Sequence, residues 1–266
     1  MNILVVNDDG INAKGLWMLH DSLIEKGHNV WVVAPSTEKS AQSHAITIRD
    51  PLRVERYSER AWSVTGTPVD CVIVAFEGLL KEEGRDQTPD PKPQTPHIDL
   101  VISGINAGPN RGDDVLYSGT VAAAIEAMCF GVRAIALSIT SHTNQKYETA
   151  IHCFMKLLEK GIHEFIGHRE ILNINVPNVE INEVQGYIIC QTGFRRYQEM
   201  LGTQSDPRNR TMYWILGRDP IYEIGKYDID YHVTIENKVA ISPLKIDFNN
   251  YEKIKTMRKW LEDLEF

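Results

Sequence analysis

Four cysteines in 266 residues, none in a CxxC pair, leave neither a zinc-ribbon spacing nor a disulfide framework. Cys71, Cys129, Cys153 and Cys190 each sit in an apolar stretch, which reads as buried thiols in a reducing compartment. Positive charge is in deficit too: 28 Lys and Arg stand against 36 Asp and Glu, a formal balance of −8. A nucleic-acid coat or an anionic-membrane binder needs a basic face, so this balance argues against both. Small phosphorylated ligands stay open, because a metal ion reverses the local field. No apolar run approaches the ~20 residues of a membrane helix, and no basic segment precedes a long apolar core at the start. The expectation is a cytoplasmic protein. Its composition, 42% hydrophobic and 24% charged, is that of a globular α/β chain rather than a coiled coil or a disordered one.

What is present alternates. Ile3 to Asn7 and Asn29 to Ala34 are short, nearly continuous apolar runs, the pattern of parallel strands covered on both faces. Between them Leu16, Leu19, Leu23 and Ile24 recur at helical spacing, with Gly27 placed to end the helix. Ala45 to Gly66 shifts to period two and predicts a small antiparallel excursion, after which Pro68 opens a helix reaching Leu80. The proline-rich stretch from Glu82 to Pro96 reads as a surface loop. Winding then resumes: a strand over 99–105, a helix over 119–130, a strand over 134–139, a long helix from Tyr147 to Ile166 and a strand over 172–177. This predicts a Rossmann-like, doubly wound, mostly parallel sheet over residues 1–185. Residues 186–266 form a smaller β-rich extension: strands near 187–190, 212–216 and 239–244, a segment around 195–231 without a core of its own, and an amphipathic tail from Tyr251 to Leu264.

Candidate chemistry gathers at the ends of the predicted strands, where a doubly wound sheet places its ligand crevice. Asp8 and Asp9 follow the first strand. Adjacent carboxylates repel unless one is protonated or a cation lies between them, so a hard divalent ion, Mg²⁺ or Mn²⁺, weighs evenly against a solvated Asp-Asp-Gly turn. The second strand is followed by the polar loop Pro35 to His44. A glycine-rich loop, Ser103 to Asp114, follows the third and leads to Ser118-Gly119-Thr120 at the start of a helix. That helix start either binds an anion or is merely capped by its hydroxyls. Neither a GxxxxGK[ST] loop nor a GxGxxG turn after the first strand is present.

Taken together, NDDG, KSAQSHAIT, TGTPVDC and SGINAGPNRGDDVLYSGTVAAAIEA resemble the survival protein E (SurE) family over roughly residues 1–140, with a weaker likeness through LNINVP and KVAISPL. The resemblance implies a metal-dependent phosphatase of nucleoside monophosphates, acting at the 5′ or 3′ position. It implies one divalent metal ion held by Asp8, Asp9, Ser40 and Asn106. It also implies a phosphoryl group held by Asn110, Ser118, Gly119 and Thr120, with Asp8 or Asp9 orienting water or attacking directly. Homodimers or homotetramers that exchange C-terminal segments are implied as well. His44 stands beside this set as an acid for the leaving group or as a structural hydrogen-bonder. Trp17, Tyr117 and Trp214 are possible base-stacking surfaces, and Arg111 a possible partner for substrate charge.

Rival readings make distinct demands. A receiver-type domain needs an acceptor Asp at the end of the third strand, where this chain has Ser103-Gly104-Ile105-Asn106. A haloacid-dehalogenase-like phosphatase needs DxD after the first strand, which Asp8-Asp9-Gly10-Ile11 lacks. A non-enzymatic metal- and nucleotide-binding adaptor would use the same anion pocket without turnover.

Overall fold

The computed structural model describes residues 1–83, 96–198, 201–216, 218–222 and 228–262. Most of the proline-rich loop expected over 82–96 lies outside these residues. In chain order the elements are β1 (Asn2–Val6), α1 (Lys14–Glu25), β2 (Asn29–Pro35), β3 (Val54–Ser58) and β4 (Ala61–Val64). Next, α2 (Pro68–Val74) passes through a π-helical turn, Ala75–Leu79, into α3 (Leu80–Glu83). Then come β5 (Leu100–Ala107), α4 (Gly119–Cys129), β6 (Arg133–Ile139), α5 (Tyr147–Glu159) and β7 (Glu170–Val176). The C-terminal part holds β8 (Tyr187–Ile189), β9 (Arg195–Gln198), β10 (Leu201–Ser205), β11 (Thr211–Ile215), β12 (Arg218–Tyr222), α6 (Asp230–Ile235), β13 (Val239–Lys245) and α7 (Tyr251–Leu261).

A nine-stranded sheet in the order β3-β4-β2-β1-β5-β6-β7-β13-β8 organises the molecule. The run from β4 to β7 is parallel; β3 on β4 and β13 on β7 are antiparallel. Side chains of a strand alternate between faces, and here both faces are covered, which is why the strands read as unbroken apolar runs. Ile3 and Val5 of β1 join Leu16, Leu19 and Leu23 of α1 and Phe154 of α5 on one side. Leu4 and Val6 join Cys71 and Val72 of α2 and Val121, Ala123 and Ala127 of α4 on the other. Each large aliphatic side chain so buried contributes about 1.5–3 kcal/mol. The Rossmann-like, doubly wound, mostly parallel architecture is as the sequence predicts.

Local signals explain most element boundaries. Gly27, at φ +80, ends α1 as Gly27 N–H donates to Ile24 O and His28 N–H to Leu23 O, a Schellman motif. Thr67 caps α2: its hydroxyl accepts from Asp70 N–H, and the Asp70 carboxylate accepts from Thr67 N–H.

Three expectations are corrected. The antiparallel excursion expected over 45–66 is formed by β3 and β4 alone; residues 45–52 form no strand, and Ile48 is 81% exposed. Thr47 instead gives its N–H and hydroxyl to Asp70, and Ala45 O accepts from Thr67, so side chains take the place of a ladder. The helix expected to run to Ile166 stops at Glu159, because Gly161 takes a left-handed φ of +77. Cys129 is exposed at the last position of α4, whereas Cys71, Cys153 and Cys190 are buried.

The C-terminal part divides its loyalties. β8 and β13 complete the main sheet, while β9 pairs with β12 and β10 with β11 in separate antiparallel ribbons. Tyr213, Trp214 and Ile215 of β11 are exposed, and α7 buries none of its residues although Ile254, Met257, Trp260 and Leu261 share a face. No helix among the described residues is long and apolar enough to cross a membrane.

Candidate active site

Strand order reverses at β1: β2 and β4 lie on one side, β5, β6 and β7 on the other. At such a switch point the loops after neighbouring strands diverge and leave a crevice at their carboxyl ends. A cleft of about 390 Å³ opens there, lined by Asp8, Asp9, Glu38, Ser40, Asn106, Pro109, Asn110, Asp114, Tyr117, Ser118 and His142 among others.

The turn after β1 is built to hold its two acids. Asn7 is fully buried and its Nδ2 donates to Gly10 O at 3.0 Å, while Gly10 takes a φ of +95. Asp8 O accepts from Lys39 N–H at 2.8 Å, which docks the loop after β2 and brings Ser40 to the cleft. This loop reverses sharply through Ala41 and Ser43, both left-handed, a costly backbone of the kind found at functional loops. Ser43 then ties to the glycine-rich loop, its N–H donating to Tyr117 O and its hydroxyl to Leu116 O. On the β5 side a register shift against β6 between Ser103 and Asn106 bends the strand end where Asn106 meets the cleft.

Asp8 is almost wholly buried. The Thr120 hydroxyl donates to its Oδ1 at 2.6 Å, and the Thr120 backbone N–H also serves it. Burial, with Asp9 alongside, nevertheless raises its pKa from 3.8 to about 6. Burial also raises Asp9, helped by the Glu38 charge and opposed by the Ala107 N–H that donates to its Oδ2 at 3.0 Å. Among the described residues no Lys or Arg lines the cleft, and of its side chains His142 alone opposes the rise at Asp9 through its charge.

The oxygens fit a hard divalent cation. Asn106 commits its Nδ2 to Gly108 O at 2.8 Å, which leaves the carboxamide oxygen as its donor to an ion. Ser40 donates its proton to Glu38 at 2.7 Å and keeps its lone pairs. No three His, Cys, Asp or Glu side chains among the described residues converge on one point; Asp8, Asp9, Asn106 and Ser40 bring two carboxylates, an amide and a hydroxyl to one cleft. All are oxygen donors, the set that suits Mg²⁺ or Mn²⁺ rather than zinc.

Of the residues expected at a phosphoryl group, Asn110 and Ser118 line the cleft. Asn110 is buried in a polar network, its N–H donating to Asn175 Oδ1 and its Nδ2 to Ser138 Oγ, while Asn173 and Asn175 donate to its carbonyl. The Ser118 hydroxyl accepts from Val121 N–H and caps α4. Gly119 lies against Asp8, and Thr120 spends its hydroxyl on that carboxylate, so these two approach the chemistry through Asp8. His44 lies outside the cleft-lining set and its Nε2 is 2.8 Å from Glu126. Arg111 stacks on Tyr231 and donates to Thr234, and Trp17 stacks on Tyr57, so neither meets the cleft. Tyr117 does stand in its wall, whereas Trp214 sits out on β11.

His142 and Glu38 are cleft residues that sequence reasoning passed over. His142 follows β6 and its Nδ1 donates to Ala107 O at 2.9 Å; applying the strand-end rule to one more strand would have found it. Glu38 lay inside a loop already singled out, and only its hydrogen bond to Ser40 distinguishes it.

A doubly wound sheet with an acidic, oxygen-rich cleft at its switch point defines the class, a Rossmann-like α/β protein with a ligand site at its strand ends. Comparison narrows this class. Residues 3–199 match the family model of the survival protein SurE. The chain is 41% identical to the 5′-nucleotidase SurE of Carboxydothermus hydrogenoformans, covering 100% of this chain and 98% of that protein. It is 39% identical to the 5′-nucleotidase SurE of Haemophilus influenzae strain PittGG, over 98% of each chain. The crystal structure of the SurE protein from Aquifex aeolicus superposes with a TM-score of 0.80 at 32% identity, covering 99% of this chain and all of that one. The protein belongs to the SurE family.

Proposed function

We propose that this protein is a metal-dependent nucleotidase that hydrolyses nucleoside monophosphates, at the 5′ and also the 3′ position, to nucleoside and phosphate. The observation that carries the reading is the adjacent Asp8–Asp9 pair, in a cleft without Lys or Arg among the described residues, beside the oxygens of Ser40 and Asn106 and the amino end of α4. Full-length kinship to proteins named 5′-nucleotidases supports it.

Asp8, Asp9, Ser40 and Asn106 would hold one Mg²⁺ or Mn²⁺. When bound, such an ion polarises a phosphoryl oxygen and lowers the pKa of water. The chain's own contributions are positional. Thr120 fixes Asp8 from the first turn of α4, and Ala107 N–H pins one oxygen of Asp9, leaving the other to orient the attacking water. Asn110 and Ser118, which line the cleft, would hold the phosphoryl oxygens, and the helix start would add its positive dipole end opposite their charge. Tyr117, exposed in the cleft wall, offers a face for the base or ribose.

Residues 1–185 supply the chemistry in this reading. The ribbons of β9–β12 and the unburied face of α7 join copies of the chain as a homodimer or homotetramer. The cytoplasm suits a protein whose cysteines are all unpaired. Asp8→Ala and Asp9→Ala test the site: each abolishes phosphate release while the circular dichroism spectrum stays native. Metal-dependent turnover by either variant would contradict the assignment.

A further inference from the structure

The outer side of the cleft wall is gripped by the C-terminal part of the chain. Consecutive residues of the glycine-rich loop, Arg111 to Asp114, each engage a partner beyond residue 190. Arg111 donates to Thr234 Oγ1 at 2.7 Å, and Gly112 N–H donates to Asp230 Oδ2 at 2.7 Å. Asp113 Oδ2 accepts from Arg195 N–H at 2.8 Å, and Asp114 pairs with the Arg195 guanidinium, both largely buried. Asp230 is fully buried, and its Oδ1 accepts from the N–H groups of Gly193 at 3.1 Å and Tyr231 at 2.8 Å. The approach is close enough to demand glycine: Gly112 has a φ of +55, and a Cβ there would lie 2.8 Å from Gly193 O. The same loop carries Asn110, Asp114, Tyr117 and Ser118 into the cleft. Its inward face is therefore set by an outward latch.

We infer that Asp230 and Arg195 are positioning residues for hydrolysis: outside the cleft themselves, they hold the loop that places Asn110 and Ser118. The inference rests on the cleft being the phosphatase site proposed above. A buried carboxylate accepting several backbone N–H groups makes charge-assisted bonds, and removing it strands those donors. A loop released by even an ångström loses alignment with the reacting phosphoryl group.

The full-length protein, in its native assembly, is compared with Asp230→Asn, Arg195→Gln, Arg195→Lys and the double variant Asp230→Asn/Arg195→Gln, each well below its own melting temperature. Three quantities are measured: hydrogen exchange over residues 108–118, Mn²⁺ affinity by calorimetry, and kcat and KM on a nucleoside monophosphate. The latch predicts faster exchange in the loop and kcat/KM lower by about tenfold or more in Asp230→Asn and Arg195→Gln. Mn²⁺ affinity stays within about twofold, since the latch is not a ligand; Arg195→Lys recovers most of the loss; and the double variant is little worse than the worse single one, as expected for two hands on one loop. Unchanged exchange, or near-normal kcat/KM in folded variants, overturns the inference. If the parent protein hydrolyses no monophosphate at all, the reading of the cleft has failed instead, and loop exchange alone decides whether the latch holds the loop.

Discussion

Asp8 is a carboxylate that the fold would rather keep neutral. Its pKa is raised from 3.8 to about 6 by burial and by Asp9, so above pH 6 the metal-stripped protein carries an ionised group that is easier to ionise when unfolded. The sign follows: a raised carboxyl pKa costs stability at high pH, and the cost disappears as pH falls from about 6 toward 4. The shift corresponds to at most about 3 kcal/mol. In excess chelator at pH 8, Asp8→Asn is therefore predicted to melt a few degrees above the parent, with the gap closing near pH 4, while its turnover is lost. An equal or lower melting temperature for the variant at pH 8 would contradict this account of the burial. Thr120 is the companion case. Thr120→Val removes the hydroxyl that donates to Asp8 and is predicted to lower kcat by about tenfold, whereas Thr120→Ser restores it. Steady-state kinetics on the two variants checks this.

At the scale of elements, α4 is the piece that connects fold to chemistry. Ser118 caps it, so Ser118→Ala should cost about 1 kcal/mol in denaturant unfolding. Gly119 begins it with no room for a side chain, since a Cβ would sit 3.0 Å from both Asp8 Cβ and Pro68 Cγ. Gly119→Ala is predicted to displace Asp8 and reduce turnover more than it lowers the melting temperature; wild-type kcat would show that the two can part without harm. Elements were legible in the sequence wherever a local signal decides them. Gly27 ends α1, Pro68 opens α2, and the acids Asp8-Asp9 are found at a strand end because they directly follow the first apolar run. Signals failed where distant side chains decide. Period-two spacing at Ile46 and Ile48 says strand, but Asp70 takes the hydrogen bonds a partner strand would have taken. Thr120 read as a phosphate ligand or a cap, because nothing local reveals that it meets Asp8 across 112 positions of sequence. Asp230 and Arg195 lie in stretches of little periodicity, and only the folded loop shows what they hold.

For the whole molecule, the apolar residues left outside the core carry the remaining argument. Tyr213, Trp214 and Ile215 on β11 and Ile254, Met257, Trp260 and Leu261 on α7 are exposed in the single chain, the kind of apolar surface that marks an interaction site. The proposed assembly covers them. Sedimentation should therefore give a mass at least twice the 30.2 kDa of one chain, and Trp214→Asp/Ile215→Asp should lower it. A 30.2 kDa species for the parent would remove the case for assembly through the β9–β12 ribbons and α7. Arg195, which opens β9 and pairs with Asp114 in the cleft wall, makes the start of the β9–β12 ribbon a neighbour of the site. The central claim is chemical and is tested most directly by phosphate release from a panel of nucleoside monophosphates, assayed after chelation and again with Mg²⁺ or Mn²⁺ restored. The account predicts release with metal only, and none in Asp9→Ala. No release from any monophosphate under either condition would contradict it and leave a protein that binds without turning over.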